Sequence, residues 1–80
     1  MNRVRFMKFK LEGGNDIMID VMRVEAISPT ISESWGWDSV GHPEVEKIPL
    51  TLLETTSGEY KVQGEYSQIA ERIIPVIEGM

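Results

Sequence analysis

The chain reads as an α+β domain: a strongly bent five-stranded antiparallel sheet, small and barrel-like, with one C-terminal helix. Three observations predict it. Met7, Phe9 and Leu11, and then Ile17, Ile19 and Val21, alternate on either side of a Gly-Gly-Asn turn. A second hairpin spans Ile48 to Gln63, with a turn at Thr56-Ser57-Gly58-Glu59. Tyr66, Ile69, Ala70, Ile73 and Ile77 then recur at helical spacing. A period of two marks strands with one buried face, and a period near 3.6 marks a helix that buries a stripe.

In chain order, Arg3 to Leu11 forms the first strand, with Lys8 and Lys10 on the face opposite Phe9. Glu12 to Asp16 is a turn, because Gly and Asn enter left-handed conformations cheaply. Ile17, Ile19 and Val21 carry the second strand, and Asp20 is placed to cap a short turn through Val21-Met22-Arg23 by accepting a backbone N–H. Val24 to Ser28 is the third strand, closed by Pro29. The hairpin from Ile48 supplies the last two strands. Thr51 and Leu53 share one face, Leu50, Leu52 and Glu54 the other, and Gly58 provides the positive φ of the turn. Leu52 and Ile69 are expected between sheet and helix. Pro75 either kinks the helix or ends it near Ile74, since proline cannot donate to Glu71 and its ring clashes with that carbonyl.

Eighty residues make one domain, 1–80, with a marginal core worth about 3–5 kcal/mol. The chain has no cysteine and one histidine, so neither disulfides nor a structural zinc site can supplement that core. Association with further copies, or with a partner, is the remaining route. Net charge is −5. Four of the eight basic residues lie in the first ten positions, and the other seventy residues carry all thirteen acids. Such a surface repels phosphate backbones, which argues against nucleic-acid binding. No apolar run reaches the ~20 residues of a membrane span, and no apolar segment follows the N-terminal basic residues as in a signal peptide. A cytoplasmic location is expected.

Residues 31–47 break the pattern and read as an irregular aromatic loop. Trp35 and Trp37 flank Gly36 among polar residues, at a cost if both stay in water. Two readings stand: the rings cap the open end of the sheet, or the loop meets a partner. The candidate partner-binding residues are Trp35, Trp37, Asp38 and His42. Asp38, His42, Glu44 and Glu46 are also the one set of possible metal ligands, but carboxylates around a single imidazole arise readily by chance. The two glycines at 13 and 14 are not followed by Gly-Lys-Ser/Thr, so no phosphate loop is present and no cofactor is implied. Without cysteine, and with its histidine in a loop, the chain offers no nucleophile–base pair, and no catalytic residue is assigned.

Phe9 to Leu11, Ile17 to Asp20, Val24 to Ile27, Leu50 to Leu53 and Ser57 to Val62, followed by Ile69 and Ile73, form a pattern that resembles the small flagellar FlbD and swarming SwrD-type proteins. The resemblance implies a similar order of short strands and closing helix. It excludes 31–47, where that family has a very short connection, and the helix start, where Gly64-Glu65 replaces Glu-Ser. Independently of the resemblance, a compact acidic body with one aromatic loop and no catalytic groups sets the expectation of a non-catalytic binding or regulatory module that acts through protein–protein contacts as a homo-oligomer. The alternative is a small phage-type inhibitor that binds a host enzyme or sequesters a small signalling ligand.

Overall fold

The computed structural model describes residues 5–79. Strands β1 (Phe6–Lys10) and β2 (Asp16–Asp20) form an antiparallel hairpin with Met7 opposite Ile19 and Phe9 opposite Ile17. The expected first strand began earlier, but Arg3 and Val4 lie outside the described residues. The turn at Gly14 has φ +93°, and Gly14 N–H donates to Leu11 O at 2.9 Å. A single 3-10 turn, Val21–Arg23, follows, and the Asp20 carboxylate caps it by accepting the Met22 N–H at 3.1 Å, as the sequence predicts. Then come β3 (Val24–Trp37), β4 (Pro43–Thr55), β5 (Gly58–Gln63) and helix α1 (Tyr66–Glu78).

These strands do not make the expected five-stranded, barrel-like sheet. β1 and β2 form a two-stranded sheet, and β3-β4-β5 form a three-stranded one with β4 in the centre. The two sheets meet at one corner, where Leu11 bridges Val62 and Glu12 N–H donates to Lys61 O at 3.0 Å. The physical reason lies in the first hairpin. Its inward residues, Met7, Phe9, Leu11, Ile17 and Ile19, form one apolar face that packs on Leu53, Val62, Ile69 and Ile73. Pairing it edge to edge as a fourth and fifth strand would leave that face to water.

Pro29 does not end the third strand, and 31–47 is not an irregular loop. β3 runs through Pro29 to Trp37, and β4 begins at Pro43. Because β3 is the outer strand, proline's missing N–H can face away from the ladder there. α1 likewise continues through Pro75 to Glu78, with Gly79 N–H donating to Pro75 O at 3.0 Å.

The core consists of Phe9, Ile19, Val21, Leu53, Val62, Ile69 and Ile73. Arg72 of the helix lies 4.6 Å over the Phe9 ring and donates to Lys8 O at 3.1 Å, so a charged stem covers the edge of the core. Ile69 sits in the predicted sheet–helix contact. Leu52 does not: the core side of β4 is that of Thr51, Leu53 and Thr55, all buried. The two polar members of that row are satisfied internally. Thr51 Oγ1 donates to Gly64 O at 3.1 Å, and Thr55 Oγ1 donates to Gly58 O at 2.9 Å.

Candidate functional site

The molecule measures 58 × 20 × 20 Å. Its length comes from the outer halves of β3 and β4, which leave the body as a two-stranded arm over 31–37 and 43–49. Seven residues of strand extend about 23 Å. β5 pairs only from Leu50 to Thr55 of β4, so the arm has no third strand.

The three prolines of the sheet fix how the arm is paired. Pro29 stands opposite Thr51, Pro49 opposite Ile31 and Pro43 opposite Trp37. An antiparallel ladder alternates between residues whose N–H and C=O point at the partner strand and residues whose groups point away. Proline fits only the second kind. Pro29 on one strand and Pro49 on the other meet that condition together only when odd residues of β3 oppose odd residues of β4. A slip by one residue would force a proline into a ladder position. Lys61 O, turned outward to Glu12 N–H, gives the same parity from the other side of the sheet, since it directs the polar groups of Leu52 toward β3.

This register decides what each face of the arm carries, because opposed residues share a face and neighbours along a strand alternate. Ile31, Glu33, Trp35 and Trp37 lie on one face with Pro49, Lys47, Val45 and Pro43. Ile27 and Leu53 belong to the same rows and enter the core. The aromatic face is therefore the core face of the sheet, carried outward past the body that covers it. Ser32, Ser34 and Gly36 lie on the reverse face with Ile48, Glu46 and Glu44. Trp35 is 71% exposed and Trp37 73% exposed, with Ile31 and Val45 also exposed beside them. The rings do not cap the sheet within one chain.

Asp38 and His42 occupy the turn at the arm's tip. The Asp38 carboxylate accepts the His42 N–H at 2.8 Å and the Val40 N–H at 2.9 Å, and its second oxygen lies 3.3 Å from His42 Nδ1. Asp38 N–H donates to His42 O at 2.9 Å, and Gly41 takes φ +86°. The His42 amide first, and the Val40 amide with it, hold the Asp38 carboxyl below the usual carboxylate range. One carboxylate oxygen is thus turned onto backbone of the same turn, and the other faces the His42 ring. Among the described residues, no three His, Asp or Glu side chains are grouped to hold a metal ion.

The chain matches no protein-family model, and no curated protein or solved structure shows significant similarity to it. Among the described residues, no helix is long and apolar enough to cross a membrane.

The structure brings Trp35 and Trp37 together with Ile31 and Val45, two residues that sequence reasoning did not attach to them. The usable signal was alternation: Ile31, Trp35 and Trp37 are separated by even numbers, which is strand spacing. A second exposed apolar spot, Phe6 and Met18 on the outward face of the first hairpin, was also missed. It borders a concavity shared with Arg23 and Tyr60. Beside it Asp20 receives Arg5 Nε at 3.0 and 2.9 Å on its two oxygens, so this polar rim is internally paired.

Proposed function

We propose that this chain is a non-catalytic binding module that works through protein–protein contacts as a homo-oligomer, with the aromatic face of the arm as its contact surface. The observation that carries the reading is the placement of Trp35 and Trp37 on one strand face with Ile31 and Val45, outside the core yet in line with it. Large aromatic rings have only two side-chain torsions to lose on docking, and tryptophan is among the residues most enriched at energetic centres of interfaces. The Asp38 turn supports the same reading by holding the tip in one conformation before any partner arrives.

Replacing Trp35 and Trp37 together by alanine tests this. Association should weaken by at least ~2 kcal/mol, the mark of an aromatic hot spot. The thermal melt of the body should barely move, because neither ring is in the core. Sedimentation and a circular-dichroism melt of the same variant separate the two effects. A loss of about 3–5 kcal/mol in folding stability with unchanged association would instead mark the rings as core.

A further inference from the structure

We infer that the outer edge of β3 over residues 31–37 pairs antiparallel with the same edge of a second copy, about a two-fold axis at Ser34, to build a four-stranded arm. This rests on the homo-oligomer reading above and adds to the aromatic face a second contact, along the edge of the same strand.

With even residues of the two arm strands bonded to each other, the odd residues of β3 direct N–H and C=O outward. Ile31, Glu33, Trp35 and Trp37 thus present four donors and four acceptors along one line. Among the described residues, no strand pairs with that side of β3. The opposite edge of the arm is built differently. The outward positions of β4 are Pro43, Val45, Lys47 and Pro49, so a proline at each end removes half of the donors. Proline and lysine are the residues that natural sheets place on edges to prevent pairing. One edge of this arm is guarded by both, and the other by neither.

The open edge is also bounded in a way that selects its own copy. Pro29 closes it on the body side, because its ring occupies the next outward position. The Asp38 turn closes it at the tip. From the first outward position, Ile31, to the last, Trp37, are seven residues with their midpoint at Ser34. Two such edges overlap fully only when residues i and j sum to sixty-eight, which places Ile31 opposite Trp37, Glu33 opposite Trp35, and Ser34 opposite Ser34 of the other copy. That register pairs odd residues with odd residues, the parity the outward groups require. No like charges stand opposite one another, and Lys47 faces each Glu33 from within its own chain. The acidic residues Glu44 and Glu46 fall on the two outermost strands, whereas pairing through β4 would bring both copies' acids together. The two-fold axis is perpendicular to the sheet, so both aromatic faces point the same way and join into one platform carrying four tryptophans.

The cysteine-free sequence makes the register directly testable. Ser34→Cys would place two thiols opposite one another in a non-hydrogen-bonded pair, with Cβ atoms about 4.5–5.5 Å apart, close to disulfide reach. Ser32→Cys would place them about 14 Å apart, since Ser32 opposes Gly36. Under mild oxidation, Ser34→Cys should form a covalent dimer at least tenfold faster than Ser32→Cys. Glu33→Pro removes one outward donor without touching the β3-β4 ladder, as Pro29 already does. It should weaken self-association at least tenfold and leave unchanged the melt taken at a concentration where both proteins are monomeric; if that variant folds poorly, the two cysteine rates decide alone. An oligomeric wild type in which both cysteine variants cross-link at the same rate, or neither does, overturns the edge register and leaves the aromatic-face reading standing. A wild type that sediments at 9.1 kDa at every concentration overturns the edge register and the homo-oligomer reading together.

Discussion

Asp38 shows how one side chain can convert an unpatterned stretch into a hairpin. Five residues, 38–42, reverse the chain between Trp37 and Pro43, and three of their backbone groups end on Asp38 or its carbonyl. Asp20 does comparable work in the body. Arg5 first, and the Met22 amide with it, hold its carboxyl below the ordinary value of 3.8. Both carboxyls are lowered, so the unfolded chain binds protons more readily than the folded one. Their contribution to stability is fully present above pH 3.8 and is lost as the pH falls through the lowered folded-state values. An acid titration followed by amide chemical shifts should show Val40 and His42 moving with Asp38, and Met22 moving with Asp20. In Asp38→Asn the Val40 and His42 shifts should stay flat across the acid range, while Met22 still moves.

At the scale of elements, β4 carries the organisation of the fold. Its inner half is the central strand of the sheet, and its outer half is one side of the arm. Pro49 marks the change: β5 pairs up to Leu50 and stops where β4 no longer offers an N–H. The two faces of the inner half are unequal. Leu53 is fully buried among Val21, Val62 and Ile73, whereas Leu52 is half-buried on the other side. Leu53→Ala should therefore cost about 2–5 kcal/mol, the range for deleting a core leucine. Leu52→Ala should cost less than half as much, by urea melts of the two variants. Equal losses would mean that the reverse face of the sheet is as tightly covered as the core face.

For the whole molecule, shape follows from an unequal division of apolar surface. The first hairpin, the three-stranded sheet and the helix close around one core at the base of a 58 Å body-and-arm particle. None of the residues in that core comes from 31–49. Excising 33–47 and joining Ser32 to Ile48 through Asn-Gly, the favoured two-residue hairpin loop, should leave a cooperative melt within a few degrees of the full chain. The same variant should neither self-associate nor bind a partner that depends on the tryptophans. A loss of cooperative unfolding would show that the arm is needed to hold the body together.

The sequence by itself determined the local elements. Period-two alternation set the first hairpin, Asp20 set its cap, Gly58 set the last turn with φ +131°, and the isoleucine spacing set the helix. Those signals lie within a few residues of what they specify. The arm was half legible, because the even spacing of Ile31, Trp35 and Trp37 is strand spacing. Serine and glutamate between them hid the strand, since neither face of the arm is buried in its own chain. Tertiary structure alone decided the rest: whether the first hairpin joined the sheet edge or covered its face, and which side of β4 became the core. Both depend on where the burial of Met7, Phe9, Ile17 and Ile19 removes the most apolar surface from water. That quantity belongs to the arrangement of all the elements, and no single stretch of the chain contains it.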